Sequence, residues 1–580
     1  MKFIKKNVYI ILGLGIAILV SSLGVLDSNL HYGHDFYVHL ARIAGVREAL
    51  KMGQFPVRIQ PGWSNGYGYA SSIFYADIFL YFPALISVFM SITTAYKIYV
   101  IAVNTGTVLI AYFCFQQISK SKYIGAASSI IYTLAMYRIC NLYIRVAVGE
   151  YTAMMFYPLI VLGMWKILRR GRDETENGWI ILTLGMSGII QTHVLSCEMM
   201  LFFMLLICLI SIKSVLQKNV LLQFLKSVCA TICLNAWFLV PFLDYSKEEL
   251  IIFQNIDFYD MQERGLTIYD LFAWTTKGAG WVKEDYSNRL SVNLGITAIF
   301  IIILGIIVLA RNMEWKEKEK TNIIWSFFLV ILSALMTLRI FPWNKLERIS
   351  LLHQLVVSLQ FPFRFMAVCM VFVSLLACLL FVVCERKINN RGKFMILLFV
   401  FCFLSAWQSM EYTDRIMMNS KEYPEEGPYT DITNILLSTY NYLYYYVGTN
   451  RDDLYNDREI KGNALIENWE RNGNESTSNE FTIKCKTEDE TSVILPLAYY
   501  PDYQCEDVET GNVYQTYRGI NNRLCAVLPE NYEGTLRISF REPWFWRCSE
   551  LISAIALMVL LRIIIKGSRD KVKERYGKLQ

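Results

Sequence analysis

Residues 363–384 read FRFMAVCMVFVSLLACLLFVVC, a stretch in which Arg364 is the single charged residue. An α-helix needs roughly 17–25 predominantly apolar residues to cross a bilayer, so this stretch predicts a transmembrane helix. The pattern recurs along the chain and predicts a polytopic α-helical membrane protein with about twelve spans. The segments are about 8–26, 97–117, 123–140, 151–168, 178–193, 197–214, 222–242, 294–311, 323–340, 363–384, 394–409 and 546–566.

The composition agrees with a membrane location. Of the 580 residues, 54% are hydrophobic and 18% are charged, whereas a soluble domain carries about 25% charged residues. These values exclude a disordered chain, a small disulfide-stapled fold and an ordinary cytosolic enzyme. The 14 cysteines lie mostly inside the apolar stretches, where cysteine behaves as a small apolar residue, so they predict neither disulfides nor a metal site.

Lysine and arginine set the predicted orientation, because short cytoplasmic loops collect these residues. With twelve spans, every basic connection falls on one side, which predicts a multi-pass protein of the cell membrane with cytoplasmic N- and C-termini. A further apolar segment, about 73–91, would place the basic N-terminus opposite the other clusters if it crossed. We therefore interpret it as a segment in the outer interface, with a thirteenth span as the alternative.

The predicted outer regions include a first loop, residues 27–96, and a larger region, residues 410–545. Between Glu411 and Glu542 there are 24 acidic and 12 basic residues, a net charge of −12. Short apolar runs there, FTIKCKT, TSVILPLAYY, NRLCAVLP and GTLRISF, are typical of strands between turns. The sequence thus predicts a transmembrane module (1–409), an extracytoplasmic β-rich domain (410–545), and a last helix with a basic cytoplasmic tail (546–580).

The most polar cluster beside a predicted span is HYGHDFYVHLAR, residues 31–42. Asp35 has His34 and His39 close by, and together they could transfer a proton or hold a divalent cation. The structural alternative is a helix whose first turn Asp35 caps. The following residues, to about Leu50, predict an amphipathic helix on the outer membrane surface.

Three further polar elements lie at the predicted outer boundary. In RICNLYIRVAVGEY, residues 138–151, Glu150 is a second carboxylate and Arg145 could hold phosphate oxygens; the alternative is an ion pair that closes a loop. In LQFPFRF, Arg364 could bind lipid phosphate or extend to the headgroups. In QTHVLSCE, His193 lies near Glu198.

The sequence contains no G-x-x-x-x-G-K-[ST], no G-x-G-x-x-G after a strand and no H-E-x-x-H. Nucleotide-driven chemistry therefore has no visible site. An outward-facing active site would need an activated donor that arrives through the membrane, most simply a lipid-linked phosphate sugar.

One span followed by H-D-F-x-x-H, then G-x-F-P-x-R and G-Y-G, resembles the YfhO-like bacterial membrane proteins of the GT-C glycosyltransferase superfamily. The later R-x-A-x-G-E and Q-F-P-x-R segments strengthen this resemblance. It implies that Asp35 is a catalytic base or acceptor-positioning carboxylate and that Glu150 is the second-loop acid. Arg145 and Arg364 would contact the donor phosphate. The remaining substrate-binding candidates are His34, His39, Arg58 and His193.

The implied reaction is transfer of a sugar from a polyprenyl-phosphate donor to an envelope polymer or glycan acceptor at the outer face, with inversion of the anomeric centre. The expected partners are this donor, the acceptor and membrane lipids, and no nucleic acid. No cofactor is certain, and a divalent cation is left open because the sequence lacks a clear D-x-D. The alternatives are a transporter or flippase of lipid-linked glycans and a non-enzymatic envelope scaffold.

Overall fold

The computed structural model describes residues 2–27, 30–169, 178–253, 261–273, 292–311, 314–316, 318–419, 422–423, 442–456, 459–471 and 481–577. Most of these residues are helical. In chain order, the helices are α1 (Lys2–Leu26), α2 (Phe36–Lys51), α3 (Trp63–Gly66), α4 (Ser71–Phe74), α5 (Tyr81–Ile86), α6 (Ile92–Ser119), α7 (Lys122–Thr133), α8 (Met136–Tyr143), α9 (Val148–Met154), α10 (Tyr157–Leu168), α11 (Gly178–Ile190), α12 (Val194–Ile210), α13 (Ile212–Val215), α14 (Lys218–Tyr245), α15 (Ile268–Leu271), α16 (Ile296–Ala310), α17 (Glu319–Met336), α18 (Trp343–Glu347), α19 (Ser350–Ser358), α20 (Phe365–Lys387), α21 (Arg391–Asn419), α22 (Arg451–Asn456) and α23 (Trp544–Gly577).

The helices agree with a multi-pass membrane protein. Each of the twelve predicted segments coincides with one or two of them. Within the described residues, seven helical segments are long and apolar enough to cross a membrane: Asn7–Leu26, Ile92–Ser119, Val148–Leu168, Lys218–Tyr245, Pro362–Lys387, Arg391–Met418 and Trp544–Gly567. The count of twelve spans stays a prediction. Segment 73–91 is not one continuous helix, so the structure has no helix there that could form a thirteenth span.

The chain forms two compact units, each built from segments that are separated in sequence. The first unit contains Met1–Phe36, Lys97–Ser227 and Asn255–Glu425. Its centre is α20, which is apolar on all sides and packs against α7, α16 and α17, as expected for a helix without a polar face. The two short strands β1 (Leu30–His31) and β2 (Glu422–Tyr423) pair antiparallel in this unit.

The second unit contains Tyr37–Tyr96, Val228–Gln254 and Glu426–Gln580. It holds a five-stranded sheet, in the order β3-β4-β10-β6-β7, and a three-stranded sheet, in the order β5-β9-β8. All four predicted strands are confirmed, as β4, β5, β9 and β10. The strands are β3 (Leu465–Arg471), β4 (Phe481–Lys486), β5 (Thr491–Ala498), β6 (Tyr503–Asp507), β7 (Val513–Tyr514), β8 (Thr516–Arg518), β9 (Arg523–Leu528) and β10 (Glu533–Phe540).

Helix α2 differs from the predicted amphipathic surface helix. Most of its apolar residues are buried, and so are its polar residues Arg42 and Glu48. Arg42 forms an ion pair with Asp77, and Glu48 forms one with Arg47 at 2.6 Å. Because these pairs satisfy the charged side chains inside the second unit, α2 needs no face toward water.

Candidate active site

The first unit joins Asp35 to the loop after α8 through the backbone. The amide of His34 donates to the carbonyl of Ile144 (2.9 Å), and the amide of Asp35 donates to the carbonyl of Arg145 (3.0 Å). Gly33 permits this approach, because a Cβ atom there would lie 2.7 Å from the Ile144 oxygen. Two predicted site elements, more than a hundred residues apart in sequence, are therefore held side by side.

Asp35 is an exposed residue that directly precedes α2. The protein around it still displaces much of its water, which raises the pKa of Asp35, while Arg145, His34 and Arg364 act in the opposite direction and Glu150 adds to the rise. The same desolvation lowers the pKa of His34. A carboxylate that solvent can reach, surrounded by protein and facing cations, is a suitable proton acceptor.

Glu150 lies in the first turn of α9 and is buried, with 1% of its surface exposed. Its Oε1 accepts hydrogen bonds from the Tyr137 hydroxyl (2.6 Å) and the Asn141 amide (3.1 Å). Its Oε2 lies 2.5 Å from Nη1 of Arg145 and 3.6 Å from Nε of Arg364. Both oxygens are thus engaged, and the carboxylate fixes two guanidinium groups in one place.

Hydrogen bonds fix both guanidinium groups in place, and Arg145 has N–H donors that these bonds do not use. Arg145 makes all its hydrogen bonds through Nη1, so within the described part of the chain its Nε and Nη2 have no partner. Arg364 donates to the Leu359 carbonyl (3.0 Å) and to Oε1 of Gln360 (3.1 Å). The Arg145 guanidinium also stacks near the ring of Phe363 at 5.3 Å. Such a pair can bind an anion without reorganising.

His193 and Glu198 belong to the same surroundings. Nδ1 of His193 accepts a hydrogen bond from the amide of Ser196 (3.2 Å), so this histidine caps α12. His193 interacts electrostatically with Glu150, and Glu198 interacts with Arg364. The structure therefore groups His34, Asp35, Arg145, Glu150, His193 and Arg364 in the first unit.

The structure places the other two candidates, His39 and Arg58, in the second unit. His39 is buried beside Arg42, with 3.5 Å between its Nδ1 and the Arg42 Nη1. Arg58 is fully buried and bonds to Glu542 (3.0 Å) and Glu550 (2.9 Å). Both side chains already contact other protein groups. These contacts favour structural roles for His39 and Arg58 over substrate-binding roles.

Tyr137 and Asn141 were not singled out from the sequence, although they contact Glu150 and Arg145 directly. The spacing of these residues in the sequence could have revealed them. Tyr137, Asn141 and Arg145 are four residues apart, and residues at this spacing share one face of a helix. Tyr137 and Asn141 lie on α8, and Arg145 follows two residues after that helix ends at Tyr143.

The site does not fit a divalent cation. No group of three or more histidine, cysteine, aspartate or glutamate side chains that could hold a metal occurs within the described ranges. The acid that solvent reaches, Asp35, faces two guanidinium groups, which would repel a cation.

Comparisons with known proteins give a limited picture. No family model matches the chain. It is 27% identical over 240 residues to an uncharacterized protein of Lactococcus lactis subsp. cremoris (strain MG1363), covering 40% of this chain and 38% of the relative. The match thus spans well under half of that relative's length.

Two solved structures show a weaker likeness. Arabinofuranosyltransferase AftD from mycobacteria aligns with a TM-score of 0.40 and 13% identity, over 70% of this chain and 27% of that chain. ArnT from Cupriavidus metallidurans, bound to undecaprenyl phosphate, aligns with a TM-score of 0.28 and 11% identity, over 66% of this chain and 78% of that chain. TM-scores below 0.5 do not establish a shared fold, so the function is argued from the geometry of the site.

Proposed function

We propose that this protein is a membrane glycosyltransferase of the GT-C type that moves a sugar from a polyprenyl-phosphate donor to a hydroxyl of an outer-face glycan or envelope polymer. One observation carries the proposal. Asp35, an exposed acid whose amide donates to the Arg145 carbonyl (3.0 Å), interacts electrostatically with two buried guanidinium groups, Arg145 and Arg364, which Glu150 holds together. A base and an anion site at one place are what sugar transfer from a phosphate requires.

The reaction can be written with these groups alone. Asp35 takes the proton of the acceptor hydroxyl, and the acceptor oxygen forms a bond to the anomeric carbon of the donor. The bond from that carbon to the phosphate oxygen breaks, and polyprenyl phosphate leaves with the electron pair. Arg145 and Arg364 stabilise the charge that grows on the phosphate. A single displacement inverts the anomeric centre.

The charges suit an anionic leaving group. Arg145 and Arg364 carry two positive charges, and Glu150 neutralises one of them. Asp35 balances the other while it is ionised, so a net positive charge appears when Asp35 takes the acceptor's proton. That charge and the unused Nε and Nη2 donors of Arg145 favour a leaving phosphate, which guanidinium groups bind well. In this proposal Glu150 is a positioning residue for the arginines, because both its oxygens are already engaged.

The test uses the purified full chain in lipid nanodiscs with a panel of synthetic undecaprenyl-phosphate monosaccharides. Asp35→Asn should lower turnover by about 100-fold to 10,000-fold, the usual contribution of a general base, while undecaprenyl phosphate still binds. Arg145→Gln should weaken that binding. The matched control is Asp27→Asn, because Asp27 is a half-exposed acid in the same loop that pairs with His31 at 3.3 Å.

The results separate the proposal from its alternatives. Unchanged turnover in Asp35→Asn would remove Asp35 from the mechanism. Movement of a lipid-linked glycan across liposome membranes without any covalent product would favour a transporter. A role as scaffold would follow if Asp35→Asn and Arg145→Gln left all measured functions intact.

A further inference from the structure

An open pocket in the first unit lies at the ends of three long apolar helices. It has a volume of about 580 Å³, and ligand pockets usually have volumes of about 300–1,000 Å³. Helices α6 and α20 end at this pocket, and α7 and α21 begin there. Because α6, α20 and α21 are each long and apolar enough to cross a membrane, the pocket would lie at the level of the lipid headgroups. In the predicted topology this is the cytoplasmic side.

The charged side chains of the pocket wall are mostly basic. Among the residues that the structure describes, Lys120, Lys122 and Arg391 line the pocket together with one acid, Glu385. Three basic groups and one acidic group give this wall a net charge of +2. Within the same described residues, the side chains of Lys120 and Arg391 form no ion pair. Basic pockets at the ends of membrane helices attract the phosphate groups of lipids.

Contacts within the protein bring two of these cations to one place. Both approach the ring of Tyr123: Nζ of Lys122 lies 5.2 Å from the ring centre, and the Arg391 guanidinium lies 5.8 Å from it. Nζ of Lys122 also donates a hydrogen bond to Oδ1 of Asn7 (2.6 Å). An anion that binds here meets cations whose positions are already set, which lowers the entropic cost of binding.

An apolar stripe leads away from the pocket along α21. Met395 lines the pocket, and Phe399 and Phe403 follow it at intervals of four residues, so the three side chains lie on one face of the helix. The two rings stack at 6.2 Å, and 67% and 56% of these residues' surfaces are exposed. A ligand with a charged head and a hydrocarbon chain would contact both the basic pocket and this stripe, whereas a free phosphate would contact the pocket alone.

We propose that this pocket binds the phosphate headgroup of an anionic phospholipid, with an acyl chain of the lipid along Phe399 and Phe403. Lys120 and Arg391 donate charge-assisted hydrogen bonds to the phosphate oxygens. A bound lipid would link the connection between α6 and α7 to the connection between α20 and α21. The site shares no residue with the groups that surround Glu150, so it does not depend on the proposed sugar transfer.

The test is native mass spectrometry of the full chain in detergent, titrated with phosphatidylglycerol, phosphatidylcholine and inorganic phosphate. The wild type should bind phosphatidylglycerol the most tightly of the three. Lys120→Gln/Arg391→Gln should weaken this binding at least about tenfold, as expected for the loss of one or two charge-assisted hydrogen bonds. Phe399→Ala should weaken the binding of phosphatidylglycerol and leave that of inorganic phosphate unchanged.

The matched control is Lys387→Gln/Lys393→Gln. It removes the same charge from exposed residues of α20 and α21 that do not line the pocket, and it should bind phosphatidylglycerol like the wild type, because salt screens exposed charges that do not touch the ligand. Without lipid, both double variants should unfold at the wild-type temperature, since all four side chains are exposed. Added phosphatidylglycerol should raise the unfolding temperature of the control but not that of the pocket variant.

Three results would overturn the proposal. Equal weakening in the two double variants would show that the basic surface as a whole attracts the lipid. Inorganic phosphate that binds as tightly as phosphatidylglycerol would assign the pocket to a soluble phosphate. Equal binding of phosphatidylglycerol and phosphatidylcholine would show that the net charge of the lipid has no role. Asp35→Asn should keep lipid binding while turnover is lost, so failure of one proposal is distinguishable from failure of the other.

Discussion

Replacing Glu150 by glutamine would test whether one carboxylate organises the site. The substitution keeps the side chain's shape, and its carbonyl oxygen can still accept from Tyr137 (2.6 Å) and Asn141 (3.1 Å). The loss falls on Oε2, where an NH₂ group would now face Nη1 of Arg145 at 2.5 Å and Nε of Arg364 at 3.6 Å. Removing one partner of a buried ion pair costs about 3–5 kcal/mol, because the other charge stays buried and uncompensated.

The assay is thermal unfolding of the purified chain in detergent, and the control is Glu319→Gln. Glu319 pairs with Arg386 at 2.7 Å, but this pair is partly exposed, and such pairs are worth at most about 1 kcal/mol. Glu150→Gln should therefore lose at least about threefold more stability than the control, and added undecaprenyl phosphate should restore part of it. Equal losses in the two variants would refute the reasoning.

Three further outcomes are expected. The rate of sugar transfer should rise with pH, and the midpoint of this rise should lie above the ordinary carboxyl pKa of about 4, because the surrounding protein raises the pKa of Asp35. A midpoint at or below the ordinary value would contradict the role of Asp35 as base. Gly33→Ala should lower both stability and turnover, since its Cβ would lie 2.7 Å from the Ile144 oxygen, and wild-type values would show that the two loops are not tightly held. Burial raises the pKa of Glu542 to about 7, so its stabilising effect is present at acid pH and is lost as the pH rises toward 7; Glu542→Gln should flatten this dependence in unfolding measurements, and an unchanged dependence would exclude Glu542 as its source.

The helices and the β-rich region could be predicted because their signals are local. An apolar run long enough to cross a bilayer has few alternatives to a helix, and α20 has the bounds that the run at 363–384 predicts, within a few residues. The alternating residues of FTIKCKT likewise predict β4, whose buried and less buried positions alternate along the strand. Both signals need no knowledge of distant residues.

The error at α2 has a physical cause. The spacing of its apolar residues is typical of a helix with one apolar and one polar face. Burial of the polar face became possible only because Asp77, 35 residues further along, supplies the counter-charge for Arg42. A sequence pattern gives the period of a helix, but it does not give the partners that permit a charged residue to be buried.

Arg58 and Arg364 also show that a sequence pattern does not give a residue's partners. Both follow an F-P-x-R or F-P-F-R sequence, and both could serve as anion contacts by that criterion. What separates them is whether protein groups already use all of their N–H donors. Arg58 donates through all three of its nitrogens, to Glu542, to the Trp237 carbonyl and to Glu550. Arg547 pairs with the same two carboxylates, so the charges there balance. Arg364 shares Glu150 with Arg145, and its Nε has no hydrogen-bond partner among the described residues, so it keeps a donor for a ligand. The donors that the fold leaves unused, rather than the motif, therefore decide which arginine can bind a phosphate.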